Sequence, residues 1–193
     1  MKIAVVADVH ANLAALNAAL ADIRSEGIDQ LLVAGDLVGY YFQPAEVLET
    51  LNDWNAHYVR GNHEDMLLRA MREPQTLDGI RRNYGSGLDI ALKSLGANTL
   101  STIEVWPTMR TLEFGKRRLL LCHGSPSDTD QYLYPDCSDE ALAPYATIGV
   151  DLVICGHTHY PMLRSVENTL FLNPGSLGPV SYTHLRAHET RED

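Results

Sequence analysis

No stretch of this 193-residue chain approaches the roughly 18 consecutive apolar residues that a membrane-spanning helix needs. Basic residues are scarce as well. There are 15 Lys and Arg against 25 Asp and Glu, a formal net charge of −10. A surface that acidic argues against stable binding to nucleic acid or to an anionic membrane. Cysteine is sparse: Cys122, Cys137 and Cys155 are odd in number and lack metal-ligand spacing. They read as reduced thiols rather than a disulfide framework. The opening residues turn acidic at Asp8, too soon for a signal peptide, so a cytoplasmic protein is expected. Charged residues make up only 21%, which excludes a disordered polyampholyte or a coiled coil. There is no internal repeat, no low-complexity tract and no linker. What is present is 45% apolar content, enough for one domain with a sizeable core.

Short apolar runs alternate with helical stretches, the pattern of an α/β sheet. Strands are expected at residues 2–7, 30–34, 57–60 and 151–155, with hairpins joining 108–114 to 117–122 and 161–166 to 169–172. Asn12 reads as the N-cap of a helix with Leu13, Leu16, Leu20 and Ile23 on one face. Further helices are expected at 44–55, 64–72, around 88–95 and at 138–146, the last capped by Ser138. Residues 73–87, with three glycines and a proline, read as a loop that caps a site, and 125–136 as a polar loop. From Val180 onward the residues follow neither periodicity and resemble the conceptual translation of a transposase-type sequencing adaptor. The expectation is therefore one domain over 1–179 and a non-native tail over 180–193. On that reading the natural protein continues past residue 179, and His184 and His188 join no ligand set.

Five apolar runs end alike. Residues 2–7 lead to Asp8 and His10, 30–34 to Gly35-Asp36, and 57–60 to Gly61-Asn62-His63-Glu64. Residues 117–122 lead to His123, and 151–155 to Gly156-His157-Thr158-His159. Ligands in open α/β sheets bind outside the carboxyl ends of the strands. Apart from the tail there are six histidines, and five of them lie in these clusters; His57 is the exception and reads as structural. Taken singly, Asp8 could be a helix cap, Asp36 a turn residue, Asn62 a left-handed turn and His123 a core histidine. Together they form a mixed nitrogen and oxygen set without thiolate. Such a set suits manganese, iron, zinc, nickel or cobalt better than magnesium or calcium alone. Seven donors are too many for one tetrahedral ion but suit two ions sharing a carboxylate. Tyr40 follows Asp36 closely enough to line a pocket there, although packing is the plainer reading for Tyr40, Tyr41 and Phe42.

These blocks, in this order, resemble the calcineurin-like metallophosphoesterase superfamily, and Asn173-Pro174-Gly175-Ser176 is similar to its small bacterial members. The resemblance implies a four-layer α/β/β/α sandwich, here C-terminally truncated. It implies that Asp8, His10 and His159 bind one divalent ion, that Asn62, His123 and His157 bind a second, and that Asp36 bridges both. His63 would be the catalytic general acid, and a metal-bridging hydroxide the nucleophile. Manganese is the first expectation for both ions. The implied activity is a phosphodiesterase acting on a small phosphoester substrate. A phosphomonoesterase, a dinucleotide hydrolase or a catalytically silent binding scaffold of the same fold are the alternatives. The Asp-Arg-Gly block of the protein Ser/Thr phosphatases is missing after Asp36. A homo-oligomer is left open.

Overall fold

The computed structural model describes residues 2–179. Strands β1 (Ala4–Val6), β2 (Gln30–Val33) and β3 (Asn55–Tyr58) run parallel in that order in one sheet. The second sheet comprises β4 (Met109–Phe114), β5 (Arg117–Cys122), β6 (Leu152–Ile154), β7 (Met162–Val166) and β8 (Thr169–Asn173). Its order is β4-β5-β6-β8-β7, with β5, β6 and β8 parallel and an antiparallel hairpin partner at each edge.

Strand alternation explains how the sheets stack. Leu31 and Val33 face one core while Leu32 and Ala34 face another. Likewise Leu119 and Leu121 join Leu32 and Ala34, whereas Leu120 and Cys122 turn the opposite way. Successive strand residues point to opposite faces, so strands buried on both sides read as unbroken apolar runs. Ala7, Leu32, Leu121 and Ile154 thus fill the space between the two sheets. Outside the first sheet lie α1 (Leu13–Ser25), α2 (Pro44–Leu51), α3 (Asn62–Arg72), α4 (Leu77–Tyr84), α5 (Gly87–Ser94) and α6 (Ala97–Glu104). Outside the second lies α7 (Asp139–Ala146), whose Leu142 and Ala146 meet Phe171 and Val153. The expected four-layer α/β/β/α sandwich is present.

The local differences from expectation have physical reasons. Residues 73–87 are not a loop. Pro74 opens a short 3-10 turn, and α4 follows with Leu77, Ile80 and Tyr84 packed on the core at helical spacing. Gly85, at φ +74°, ends α4, and Arg81 then grips Asp89 on α5. Helix α6 was not anticipated, because its Asn, Thr and Ser residues hide the single buried Ile103. Strand β3 begins two residues earlier than expected. Asn12 caps α1 as expected, its Oδ1 accepting the Ala15 N–H at 3.2 Å. Ser138 occupies the cap position of α7 without a side-chain capping bond. Among the described residues no helix is long and apolar enough to cross a membrane. The expectation of a non-native tail from residue 180 lies outside the described residues.

Candidate metal centre

Strands β1, β2, β3, β5 and β6 all deliver their following residues to one rim of the sandwich. The chain turns sharply there. Asp8, His10, Asp36, His157 and His159 have φ values of +53°, +49°, +55°, +67° and +63°. Side-chain-bearing residues rarely adopt that region, and each instance costs on the order of 1–3 kcal/mol. The surrounding fold holds them there. The Asp8 N–H donates to the Gly35 carbonyl at 3.1 Å and the His10 N–H to the Asp36 carbonyl at 2.9 Å. The Asp8 carbonyl accepts from Ser176 Oγ at 2.8 Å and from the Gly178 N–H at 2.7 Å. Its carboxylate accepts the His157 N–H at 3.1 Å.

Glu64 is the residue whose role the sequence did not disclose. Fully buried on α3, it accepts backbone N–H groups from Asp36 (2.8 Å), Leu37 (2.8 Å), Val38 (3.2 Å) and Gly61 (2.9 Å). It clamps the turn after β2 to the turn after β3. Burial and then Asp36 push its carboxyl up to about 7, against the pull of the Gly61 N–H, His123 and the Asp36 N–H. Asp36 Oδ1 in turn accepts the His63 N–H at 2.9 Å. Gly61 is required beside it, because a Cβ there would overlap Asp36 Oδ1.

All seven anticipated ligands converge, with His63 beside them, and all are buried. His10 Nε2 lies 3.1 Å from His159 Nε2 and 3.7 Å from Asp36 Oδ2, and His159 Nε2 is 3.7 Å from Asp8 Oδ1. On the other side of Asp36, its Oδ2 is 3.3 Å from His123 Nε2. Asn62 Oδ1 stands 3.0 Å from His123 Nε2 and 3.1 Å from His157 Nδ1. Donor atoms of Asp8, His10 and His159 lie within 4.8 Å of one another, as do those of Asp36, His123 and His157, and those of His10, Asp36 and His63.

The outer ring nitrogens show what this cluster can hold. His10 Nδ1 donates to the Val38 carbonyl at 3.0 Å, His123 Nδ1 to the Ala34 carbonyl at 2.7 Å, and His157 Nε2 to the Asp130 carbonyl at 3.2 Å. A carbonyl only accepts, so the inner nitrogens of His10 and His157 present lone pairs to other acceptors. Burial drives His10 well below its usual range and His157 down to about 4, keeping both neutral. Burial pushes Asp8 up to about 8. Burial opposes ionisation of Asp36 too, yet His123 and His63 hold its carboxyl well below the ordinary range. Burial likewise opposes charge on His123, but Asp36 and Asp8 hold it at about 10. The two carboxylates thus favour positive charge at the centre of these converging acceptors. Fixing a ligand imidazole through its far nitrogen is how metal sites orient their rings. The donor set fits divalent cations, and its composition does not select one.

Above the cluster opens a cavity of about 490 Å³, with Asp36, Asn62, His63, His157 and His159 at its base. His63 Nδ1 is buried without a hydrogen-bond partner, over Gly39, where a Cβ would overlap it. Tyr40 lines the cavity, its ring 4.9 Å from His63, whereas Tyr41 and Phe42 are exposed outside it. Tyr84, Tyr132 and Tyr134 also line it and were missed: Tyr84 is distant in sequence from the other two, and none lies in a motif. His57 lies outside the cluster, against Arg110 and Gln30.

The family profile described as the calcineurin-like phosphoesterase superfamily domain matches residues 1–189. An uncharacterised protein of Methanocaldococcus jannaschii is 33% identical over 178 residues, covering 91% of this chain and 69% of that protein. The crystal structure of a hypothetical protein from Pyrococcus horikoshii shares the fold, with a TM-score of 0.80 over 91% of this chain and 77% of that one, at 22% identity. A metallophosphoesterase from Sphaerobacter thermophilus gives a TM-score of 0.69 over 92% of this chain and 77% of that one, at 25% identity. A matching profile over almost the whole chain, and a relative a third identical across most of both proteins, place this chain in the calcineurin-like phosphoesterase superfamily.

Proposed function

We propose that this chain hydrolyses phosphodiesters with the help of two divalent cations, manganese first among them. The observation that carries the reading is the position of Asp36 Oδ2, 3.7 Å from His10 Nε2 on one side and 3.3 Å from His123 Nε2 on the other. Asp8, His10 and His159 would hold one cation, and Asn62, His123 and His157 the other, with Asp36 shared. Bound there, such ions neutralise phosphoryl oxygens and acidify a water placed for in-line attack. The chain's own residues do the rest. Glu64 keeps Asp36 in register through the backbone. His63, tethered to Asp36 by its N–H, sits at the cavity base as the proton donor for the departing oxygen, a task that suits an imidazole.

The choice of diester over monoester has its own support. Among the described residues no Lys or Arg lines the cavity. Dianionic monoesters and polyphosphates call for cationic side chains around their extra charge, whereas a diester carries one negative charge. The complete donor set together with His63 favours an enzyme over a scaffold.

Turnover of bis-p-nitrophenyl phosphate with added manganese tests this, with p-nitrophenyl phosphate as the monoester control. Faster release from the diester is expected. Failure with every divalent ion would favour the scaffold, and faster release from the monoester would reverse the diester assignment.

A further inference from the structure

Among the described residues, the cavity walls carry tyrosine after tyrosine and neither Lys nor Arg. Tyr40 and Tyr84 stand on the His63 side, their ring centroids 4.9 and 5.3 Å from that imidazole. Tyr132 and Tyr134 stand by His157 and stack on each other at 5.5 Å with an interplanar angle of 13°. Tyr132 also reaches back to the cluster, its ring 4.1 Å from that of His157. Yet it remains 55% exposed and Tyr134 41% exposed. Two parallel rings left open to water at the mouth of a reactive cavity offer a flat apolar face.

We infer that the Tyr132–Tyr134 pair is a stacking platform that selects small phosphodiesters bearing a nucleobase on the arm that does not depart. The inference rests on the phosphodiesterase reading and names its substrate class. Three observations point to a nucleobase of a small molecule. Aromatic rings bind bases face to face with little regard for sequence. A cavity of about 490 Å³ is of the size that takes a nucleotide-sized ligand. A polymeric nucleic acid would need a basic track, and this chain has a net charge of −10 and no Lys or Arg in the cavity wall among the described residues. On the phosphodiesterase reading His63, beside Tyr40 and Tyr84, would face the departing oxygen, which leaves the Tyr132–Tyr134 pair beside His157 for the retained arm.

The test compares two diesters with the same leaving group: the p-nitrophenyl ester of thymidine 5′-monophosphate, and methyl p-nitrophenyl phosphate. The manganese-loaded protein should show kcat/KM about tenfold or more higher for the nucleoside ester, the scale of one base–aromatic stack. Tyr132→Ala should collapse that ratio toward one, and Tyr132→Phe should preserve it. A ratio near one in the unaltered protein, or an equal loss on both esters in Tyr132→Ala, overturns the inference while leaving the phosphodiesterase reading intact. Calorimetry separates the two readings. If neither ester is turned over with any ion, tighter binding of thymidine 5′-monophosphate than of 2-deoxyribose 5-phosphate, lost in Tyr132→Ala, upholds the platform and sinks the hydrolase. Equal binding of the two overturns the platform.

Discussion

The buried carboxylate of Glu64 accepts the backbone N–H of Asp36 at 2.8 Å, so the residue placed between the two donor groups is held by a side chain in the first turn of α3. Gly61, Leu37 and Val38 donate to the same carboxylate. Glu64→Ala would leave four donors without this acceptor in a dry interior, at about 1–3 kcal/mol for each that stays unpaired. We expect a loss of about 3 kcal/mol or more in urea unfolding, together with less metal bound per chain. Unchanged metal content in a folded Glu64→Ala protein would show that the clamp does not position Asp36.

Asp36 faces both donor groups, and its replacement should tell on both. Asp36→Ala should lose both cations, read as metal per chain by elemental analysis after dialysis. Retention of one full equivalent would argue against a shared ligand.

His63 should behave differently. His63→Ala should keep its metal and lose on the order of 10²-fold in turnover of a diester. The loss should be larger for an alkyl leaving group than for p-nitrophenolate, which departs without a proton. A fall in metal content would make His63 a ligand instead.

Gly39 supports that imidazole from below. Its φ of +92° and the overlap of any Cβ with His63 Nδ1 make Gly39→Ala a way to displace the proton donor without removing it. The expected result is turnover close to that of His63→Ala, metal retained, and about 1 kcal/mol or more lost in stability from the backbone alone. Turnover equal to the unaltered protein would mean that the position of His63 is not critical.

How far the sequence discloses this molecule varies by element. The donors stand out because a parallel sheet sends its loops to one end, and five polar clusters each follow an apolar run. The sandwich is legible for a related reason, since strands buried on both faces lose the polar alternation of a surface strand, as residues 119–122 of β5 do. Helix α4 is hidden because Pro74, Gly79 and Gly85 punctuate it as a loop would, while only Leu77, Ile80 and Tyr84 carry its apolar spacing. Glu64 is concealed by its partners. Backbone amides of residues 36–38 carry no sequence signature, so a glutamate beside two site residues reads as part of the motif and its clamp goes unseen. Tyr132 and Tyr84 meet only through the fold, 48 positions apart.

The donors are divided between two sheets: Asp8, His10, Asp36 and Asn62 follow strands of the first, and His123, His157 and His159 follow strands of the second. Cations seated between them would act as a clasp across the seam. Neither half carries a full complement of ligands. Cutting the gene in the short link between α6 and β4 would yield two fragments that must find each other before either could do chemistry. An activity built this way is inherited whole, and it cannot be lent to another protein by grafting one half.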